Sequence, residues 1–432
     1  MNLIIAAFYE MSLWIIALFA MPKFAYNYLV HRKYRKSLLD RFGFNLPDIK
    51  NHKAPIIWIH AVSMGETKAV VSLAREIKRL IPSCAIMISS TTETGHAEAK
   101  RSLPFADYHV YLPFDFNGII KRIVKQVSPK MVILCESDFW YNFLRNSKMQ
   151  GASIALVNGK ISKRSANRFS KAPFFSKRMF NLFNTMCTQN IYYEELLAAA
   201  GAPADRLFVT GNLKFDDDYP QLNAEEVKQW RQKLGISPNH IVLTIGSTHN
   251  PEEQLFINTL REVWKKVPQL KVIIVPRHPE RFKTVGTLLE NGRINWIAFT
   301  DIARSTGKEQ VILIDAMGML RMCYQLSDLS IVGGSFTDKV GGHNILEPCW
   351  YGKPVLFGPH MDTQRELVDL VNQAYAGEQV TEKELQYALE RLLLNENQLH
   401  KIGQQGLALI RQLKGSTQRT VDALKPLLNQ IK

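Results

Sequence analysis

Short apolar runs rich in β-branched residues recur through the first half of this chain at 56–62, 84–90, 108–114, 131–135, 153–157 and 207–210. Helical or loop stretches separate most of them, and that alternation predicts βαβ units and a mostly parallel sheet. A second series begins at Ile241 and reads IVLTIGS, KVIIVPR, NWIAFT, VILID, LSIVGGS and PVLFG. Between the two lies DDDYPQLNAEE (216–226), polar and interrupted by a proline, which reads as a domain linker. With 432 residues the chain exceeds one ordinary core, and a hydrophobic content of 46% is enough to fill two. The expected fold class is α/β, with two Rossmann-like halves facing each other across a cleft. After Glu382 the chain reads as helices, most clearly in ELQYALERLLL and LALIRQLKG, and no repeat of solenoid length is present.

The N-terminal stretch LIIAAFYEMSLWIIALFAM (3–21) is long enough to reach across a hydrocarbon core. Glu10 within it weakens a full span and leaves a re-entrant or in-plane anchor open; a buried core helix is the competing structural reading. No small-residue cleavage site follows, which argues against a removed signal peptide. The net charge is +15, and from Lys23 to Lys53 eight Lys or Arg residues face two Asp. By the positive-inside rule, the domains after the anchor face the cytoplasm. A second basic segment, KISKRSANRFSKAPFFSKRMF (160–180), interleaves Phe169, Phe174, Phe175 and Phe180 with its charges. Rings that enter the interface while Lys and Arg neutralise phosphate suit an anionic membrane surface; a solvated helix-loop region is the plain alternative. The same charge attracts nucleic acid, but none of the common nucleic-acid-binding motifs is present, so no nucleic-acid partner is expected. Cys84, Cys135, Cys187, Cys323 and Cys349 lie far apart with no CxxC pair. That spacing suggests neither a zinc knuckle nor a disulfide framework, and fits a reducing, cytosol-facing location.

In WIHAVSMGE (58–66) an apolar strand stops at a Ser-Met-Gly turn, and TKAVVSLAREIKRL after it has the spacing of an amphipathic helix. Glu66 therefore falls at a strand's carboxyl end, where open α/β sheets bind ligands. The plainer role for such a carboxylate is to complement the dipole of the helix it opens.

Three junctions in the second half have the makings of a nucleotide site. In TIGSTHNPEEQLF the strand 241–245 enters Gly246-Ser247-Thr248 and then a helix, so hydroxyls and free N–H groups there can receive phosphate oxygens; simple helix capping is the alternative. In VPRHPERF, Arg277 and His278 follow a strand directly; the guanidinium suits phosphate or pyrimidine oxygens, or else a structural ion pair. In IVGGSFTDKVGGHNILEP a strand ends at Gly333-Gly334, a loop runs to Gly341-Gly342, and a helix is expected to open at His343 or Asn344. Glycines let backbone approach a phosphate, and Asn344 and Glu347 are expected on one face of the first turn, with the carboxylate accepting from both ribose hydroxyls. A Gly-rich turn with a capping network is the competing reading.

Taken in order along nearly the whole chain, WIHAVSMGE, SSTTETG, LPFD, ESDFWYN, VTGNLKFD, GSTHNPEE, VPRHPERF, DAMGML and GGHNILEP resemble the Kdo (3-deoxy-D-manno-octulosonic acid) transferases of lipopolysaccharide synthesis. The resemblance implies a GT-B type, inverting glycosyltransferase that moves Kdo from CMP-Kdo to the lipid A precursor, lipid IVA. It implies the inner (cytoplasmic) membrane of a Gram-negative-type bacterium, with catalytic domains on the cytoplasmic side. The chain then divides into a membrane anchor (1–22), an acceptor-binding domain (23–215), the linker (216–226) and a CMP-sugar-binding domain with terminal helices (227–432). Position by position, Glu66 matches the general base, and Glu136 and Lys214 match groups that stabilise the transition state. CMP contacts match Pro276, Arg277, Met317, Gly318, Met319, Asn344, Ile345, Leu346 and Glu347, and the hydroxyl residues Ser247 and Thr248 join them. Asp138 stands where the family usually has Glu, Tyr141 where it has Pro, and Met319 where a polar residue is frequent. The departing CMP can be offset by lysine, arginine and helix N-termini, no DxD-type motif suggests a metal, and Asp216–Asp218 read as solvating the linker; no metal or cofactor is expected. Two other readings compete: a GT-B transferase using a UDP-sugar and a lipid acceptor, and a membrane-anchored nucleotide-sugar or lipid-binding module without turnover. Retention of Glu66, Lys214 and the 344–347 turn together argues against the second.

Overall fold

The computed structural model describes residues 2–31, 37–47, 49, 54–216 and 219–431, with side chains from residue 5 onward. The basic run 32–36, most of 48–53, and the last two aspartates of the 216–218 triplet lie outside the described residues. The chain forms two compact units, Met1–Asp217 with Leu413–Lys432, and Asp218–Gln412.

In the first unit, β1 (Ile56–His60), β2 (Ala85–Ser90), β3 (Tyr108–Tyr111), β4 (Met131–Cys135), β5 (Ser153–Gly159), β6 (Thr185–Thr188) and β7 (Leu207–Val209) form one sheet in the order β3-β2-β1-β4-β5-β6-β7. Every pairing is parallel. A parallel sheet is covered on both faces, so its strands carry continuous apolar runs and not alternating ones. Along β1, Ile56 and Trp58 enter one core while Ile57 and Ile59 enter the other. The second unit repeats the plan with β8 (Ile241–Thr248), β9 (Leu270–Pro276), β10 (Trp296–Ala298), β11 (Val311–Leu313), β12 (Leu329–Val332), β13 (Val355–Phe357) and β14 (Gly377–Gln379), ordered β10-β11-β9-β8-β12-β13-β14 and parallel throughout. Strand order reverses beside β1 and β4 in the first unit and beside β8 and β12 in the second. Those are the positions where loops diverge and leave a crevice.

The apolar series missed β6 and β14. The first reads TMCT, too short and mixed to stand out, and the second reads GEQ and is held by backbone pairing at the sheet edge.

Helix α1 (Asn2–Leu29) is followed by α2 (Leu38–Arg41), α3 (Met64–Ala69), α4 (Val71–Leu80), α5 (Glu93–Ser102), α6 (Asn117–Val127), α7 (Tyr141–Met149), α8 (Lys163–Ser170) and α9 (Pro173–Phe180). The single helix expected after Glu66 is thus two, meeting at Val70. In α8 and α9 three of the four phenylalanines turn inward. Phe180 is fully buried, Phe169 and Phe175 pack on the same core, and Phe174 alone is exposed, with the Arg178 guanidinium 4.1 Å above its ring. A face whose rings fill the core cannot insert them into lipid, so the interleaved Phe and Lys/Arg of 160–180 reflect an amphipathic helix pair.

The domain bounds also need correction, because the helix Ser416–Leu428 belongs to the first unit and not to the domain expected over 227–432. Its Val421, Leu424, Leu427 and Leu428 close the core that holds Ile57 and Ile59. Asp216 does not solvate a linker: it caps this helix, accepting from Gly415 N at 2.7 Å and from Thr417 N. Gly211 (φ 94°) lies so close beneath it that a Cβ would stand 2.4 Å from Ser416 Oγ. Since Leu424 is fully buried, Leu424→Ala is expected to destabilise the first unit by about 2–5 kcal/mol, read as a lowered denaturant midpoint.

Candidate active site

In the first unit the residues singled out in the sequence gather at the carboxyl ends of β1, β4 and β5. Ser63 is the N-cap of α3, and Glu66 is the third residue of that helix. Its carboxylate turns back on the turn: Oε2 accepts from Val62 N at 2.9 Å and Oε1 from Ser63 Oγ at 3.0 Å. This is a capping arrangement, so the structural role proposed for Glu66 is present. The group is nevertheless only 9% exposed, and burial raises its pKa above the ordinary value. The Val62 and Ser63 bonds oppose that rise, and the negative charges of Glu136 and Asp138 add to it. Gly95 of SSTTETG lets α5 close over the turn; a Cβ there would stand 2.8 Å from Val62 O.

Glu136 follows β4 with φ 66°, and Asn158 at the end of β5 has φ 52°. Left-handed backbone at residues other than glycine costs about 1–2 kcal/mol and persists where surrounding contacts hold it. Here those contacts converge on the Glu136 carboxylate: Lys214 Nζ lies 2.7 Å from Oε1, Lys160 Nζ 2.5 Å from Oε2, and Asn158 Nδ2 3.4 Å from Oε1. Asn158 also accepts from Leu213 N at 2.9 Å, which orients the 3₁₀ turn Leu213–Asp216 and with it Lys214. Lys214 leans over the turn before Glu66, since a Cβ on Gly65 would stand 4.0 Å from its Nζ. Both ammonium groups are partly exposed while Glu136 is buried. Glu136 is therefore an ionic bridge that aims two cations outward. Asp138 lies beside it with its pKa raised by burial and by the Glu136 charge. The sequence reading missed Lys160, whose place just after β5 is hidden within a basic segment that reads either as a membrane-contacting surface or as a solvated helix-loop region.

In the second unit the expected nucleotide residues lie at the carboxyl ends of β8 and β9 or follow β9, β11 and β12. The phosphate reading of the Gly-Gly loop is revised by Glu252. Only 1% exposed, its carboxylate accepts from Gly334 N at 2.7 Å, Phe336 N at 2.8 Å and His249 N at 3.0 Å. Those three N–H groups are taken by the protein itself. Thr248 Oγ1 is likewise engaged, donating to Glu253 Oε1 at 3.2 Å, while Glu253 pairs with Arg281 at 3.1 Å. The PEE of GSTHNPEE thus fastens β8 to the loop after β12.

Other positions stay available. Arg277 is exposed and makes no ion pair among the described residues, so the structural alternative for it does not hold. Met317 is exposed, and Gly318 (φ 83°) and Met319 lead into the helix Leu320–Leu326. The helix expected to open at His343 or Asn344 begins later, at Leu346. Asn344 precedes it and caps it, its Oδ1 accepting from Leu346 N at 3.0 Å. Ile345 and Leu346 are fully buried. Burial raises the pKa of Glu347, and the positive charges of Arg321 and Arg277 counter it. Three histidines missed as a group also meet here: His249 and His343 face each other with Nε2 atoms 2.8 Å apart, and the His278 ring centre is 5.2 Å from that of His249. Burial and the neighbouring histidines and Arg277 lower His343 to a pKa of about 4, and burial with neighbouring positive groups lowers His249 as well. Among the described residues no group of three or more His, Cys, Asp or Glu is placed to hold a metal ion.

A family model described as 3-deoxy-D-manno-octulosonic-acid transferase (kdotransferase) matches residues 36–217. Across 419 residues the chain is 31% identical to the 3-deoxy-D-manno-octulosonic acid transferase of Chlamydophila psittaci, covering 96% of this chain and 95% of the relative. The chain belongs to the Kdo transferase family. The transferase of Haemophilus influenzae is also 31% identical, over 92% of this chain and 93% of its own. A solved glycosyltransferase from Rickettsia africae shares the fold at 15% identity, with a TM-score of 0.58 over 87% of this chain and 99% of that one. This Kdo transferase is a GT-B type glycosyltransferase of lipopolysaccharide synthesis, with an apolar helix at its N-terminus. Its family match spans the unit that carries Glu66, Glu136, Lys160 and Lys214.

Proposed function

We propose that the enzyme transfers Kdo from CMP-Kdo to the lipid A precursor, lipid IVA, by a single inverting displacement at the cytoplasmic face of the inner membrane. The observation that carries the mechanism is the buried Glu66 carboxylate beside the Lys160–Glu136–Lys214 bridge. In the step, the acceptor hydroxyl gives its proton to Glu66 as its oxygen bonds to the anomeric carbon. The bond from that carbon to the CMP phosphate oxygen breaks, and the electron pair leaves with CMP. A carboxylate whose pKa is lifted by burial is a stronger base than one in water. Lys214, Lys160 and Glu136 supply a fixed field that offsets charge developing in the transition state, with no metal required.

On the donor side, Arg277 and the backbone of Met317–Met319 are assigned to CMP, and Glu347 to its ribose. Loss of a charged hydrogen bond is worth about 1.5–3 kcal/mol. Arg277→Ala is therefore expected to weaken CMP binding about 10- to 100-fold in calorimetric titration; an unchanged affinity removes Arg277 from the site. The whole reading is tested by mass analysis of the lipid formed from precursor and CMP-Kdo in excess chelator. Addition of Kdo, inhibited by CMP and not by UDP, is the expected result. Turnover restored only by a divalent ion, or donor competition by UDP, contradicts it.

A further inference from the structure

The LPFD motif, with the two residues after it, holds both flanks of the apolar N-terminal segment. On one side is α1. Tyr9 donates to Asp115 at 2.8 Å, and Glu10 accepts from Asn117 N at 3.1 Å and from Asn142 Nδ2 at 2.8 Å. Trp14 lies on Phe116 with ring centres 4.5 Å apart, and Ile5 is buried in the core of the first unit. Glu10, out of place in a membrane span, is thus satisfied by the domain. On the other side is α2. Ser37 is fully buried, Phe114 N donates to Arg41 O at 2.9 Å, and the Arg41 guanidinium reaches Thr91 O.

Between these two attachments are only the 26 residues 11–36. From Met11 to Leu29 the helix bears exposed apolar side chains, among them Ile15, Ile16, Leu18, Phe19 and Met21, and the most apolar stretch of Ile5–Leu29 is only 6% buried. At 1.5 Å per residue that part of α1 extends about 28 Å. Crossing a hydrocarbon core takes about 20 helical residues, and the return to Ser37 would need a second crossing. The residues left for it, VHRKYRK (30–36), are too few and carry four Lys or Arg residues that do not enter hydrocarbon. A segment with both ends fixed to one domain crosses a bilayer an even number of times, and 26 residues cannot cross twice.

We propose that α1 is a one-sided anchor that dips into the near leaflet of a phospholipid bilayer and does not span it. The helix satisfies its own backbone in hydrocarbon. Phe24, Tyr26 and Tyr28 follow the apolar stretch, where aromatic rings suit the headgroup level. Exposed Leu39, Phe42 and Phe44 carry the apolar surface on to α2, with Phe42 packed on Phe114. The LPFD loop thereby sets how near the first unit stands to lipid.

The test uses the full chain in its membrane, with a site-specific protease recognition sequence and epitope at each terminus. Sealed inverted inner-membrane vesicles are expected to lose both epitopes to added protease, and spheroplasts to keep both. Loss of the N-terminal epitope in spheroplasts overturns the assignment. So does its survival in inverted vesicles that lose the C-terminal epitope, provided detergent renders it cleavable.

Discussion

Glu66→Gln is expected to lower Kdo transfer by about 10²- to 10⁴-fold while CMP affinity and the fold persist. Glutamine is the informative replacement because Glu66 holds its turn as well as facing the reaction. A glutamine oxygen can still accept from Val62 N, the bond that closes the turn at 2.9 Å. Alanine would remove that bond and the Ser63 contact at 3.0 Å together, and a lost cap costs about 1 kcal/mol. Its effect on turnover would then mix two causes. A glutamine variant with near-normal single-turnover rates would leave Glu66 as a capping residue and exclude it as the base. The wild-type pH profile gives a second reading. Burial raises the Glu66 pKa, and only the ionised form accepts a proton. Activity should therefore fall as pH drops through a point above the usual glutamate value of about 4.3, and not at it. An acid limb at or below that value would contradict the assignment.

In the second unit the largest expected loss follows Glu252→Ala. Three backbone N–H groups, from His249, Gly334 and Phe336, converge on this carboxylate, which is only 1% exposed. Alanine leaves all three donors without an acceptor. A buried donor left unsatisfied costs about 1–3 kcal/mol. Water entering the cavity would recover part of this, so a net destabilisation of about 3–5 kcal/mol is expected in denaturant unfolding. CMP affinity should fall with it, because the loop after β12 leads to Asn344 and Glu347. A variant within about 0.5 kcal/mol of wild type would show that the loop holds its shape without this carboxylate.

The parallel sheets were legible because strands buried on both faces carry near-continuous apolar runs, as β4 (MVILC) does throughout and β1 (IIWIH) does up to its last residue. The strands that escaped, TMCT and GEQ, are placed by their neighbours' hydrogen bonds and carry little periodicity of their own. Glu66 was legible because a strand, a turn and a helix signal converge on one carboxylate. Lys160 was not, because a lysine in a basic run looks like its neighbours until β5 and the strained Glu136 bring it within 2.5 Å of a carboxylate. Glu252 lies in the first turn of its helix, an ordinary place for an acid; that it takes the N–H groups of a loop 82 residues away is a long-range pairing without local signature.

By itself the sequence determined the α/β class, the two sheets, the family and the segments around each candidate residue, because hydrophobic period, turn chemistry and motif order are local properties of the chain. Tertiary structure alone decided which unit the last helix completes, which N–H groups the protein itself takes up, and which phenylalanines face solvent or core. It also decided that both flanks of the apolar helix attach to one domain. Each of these depends on contacts between residues far apart in the chain, formed when buried faces and hydrogen-bonding groups find partners that no local pattern names.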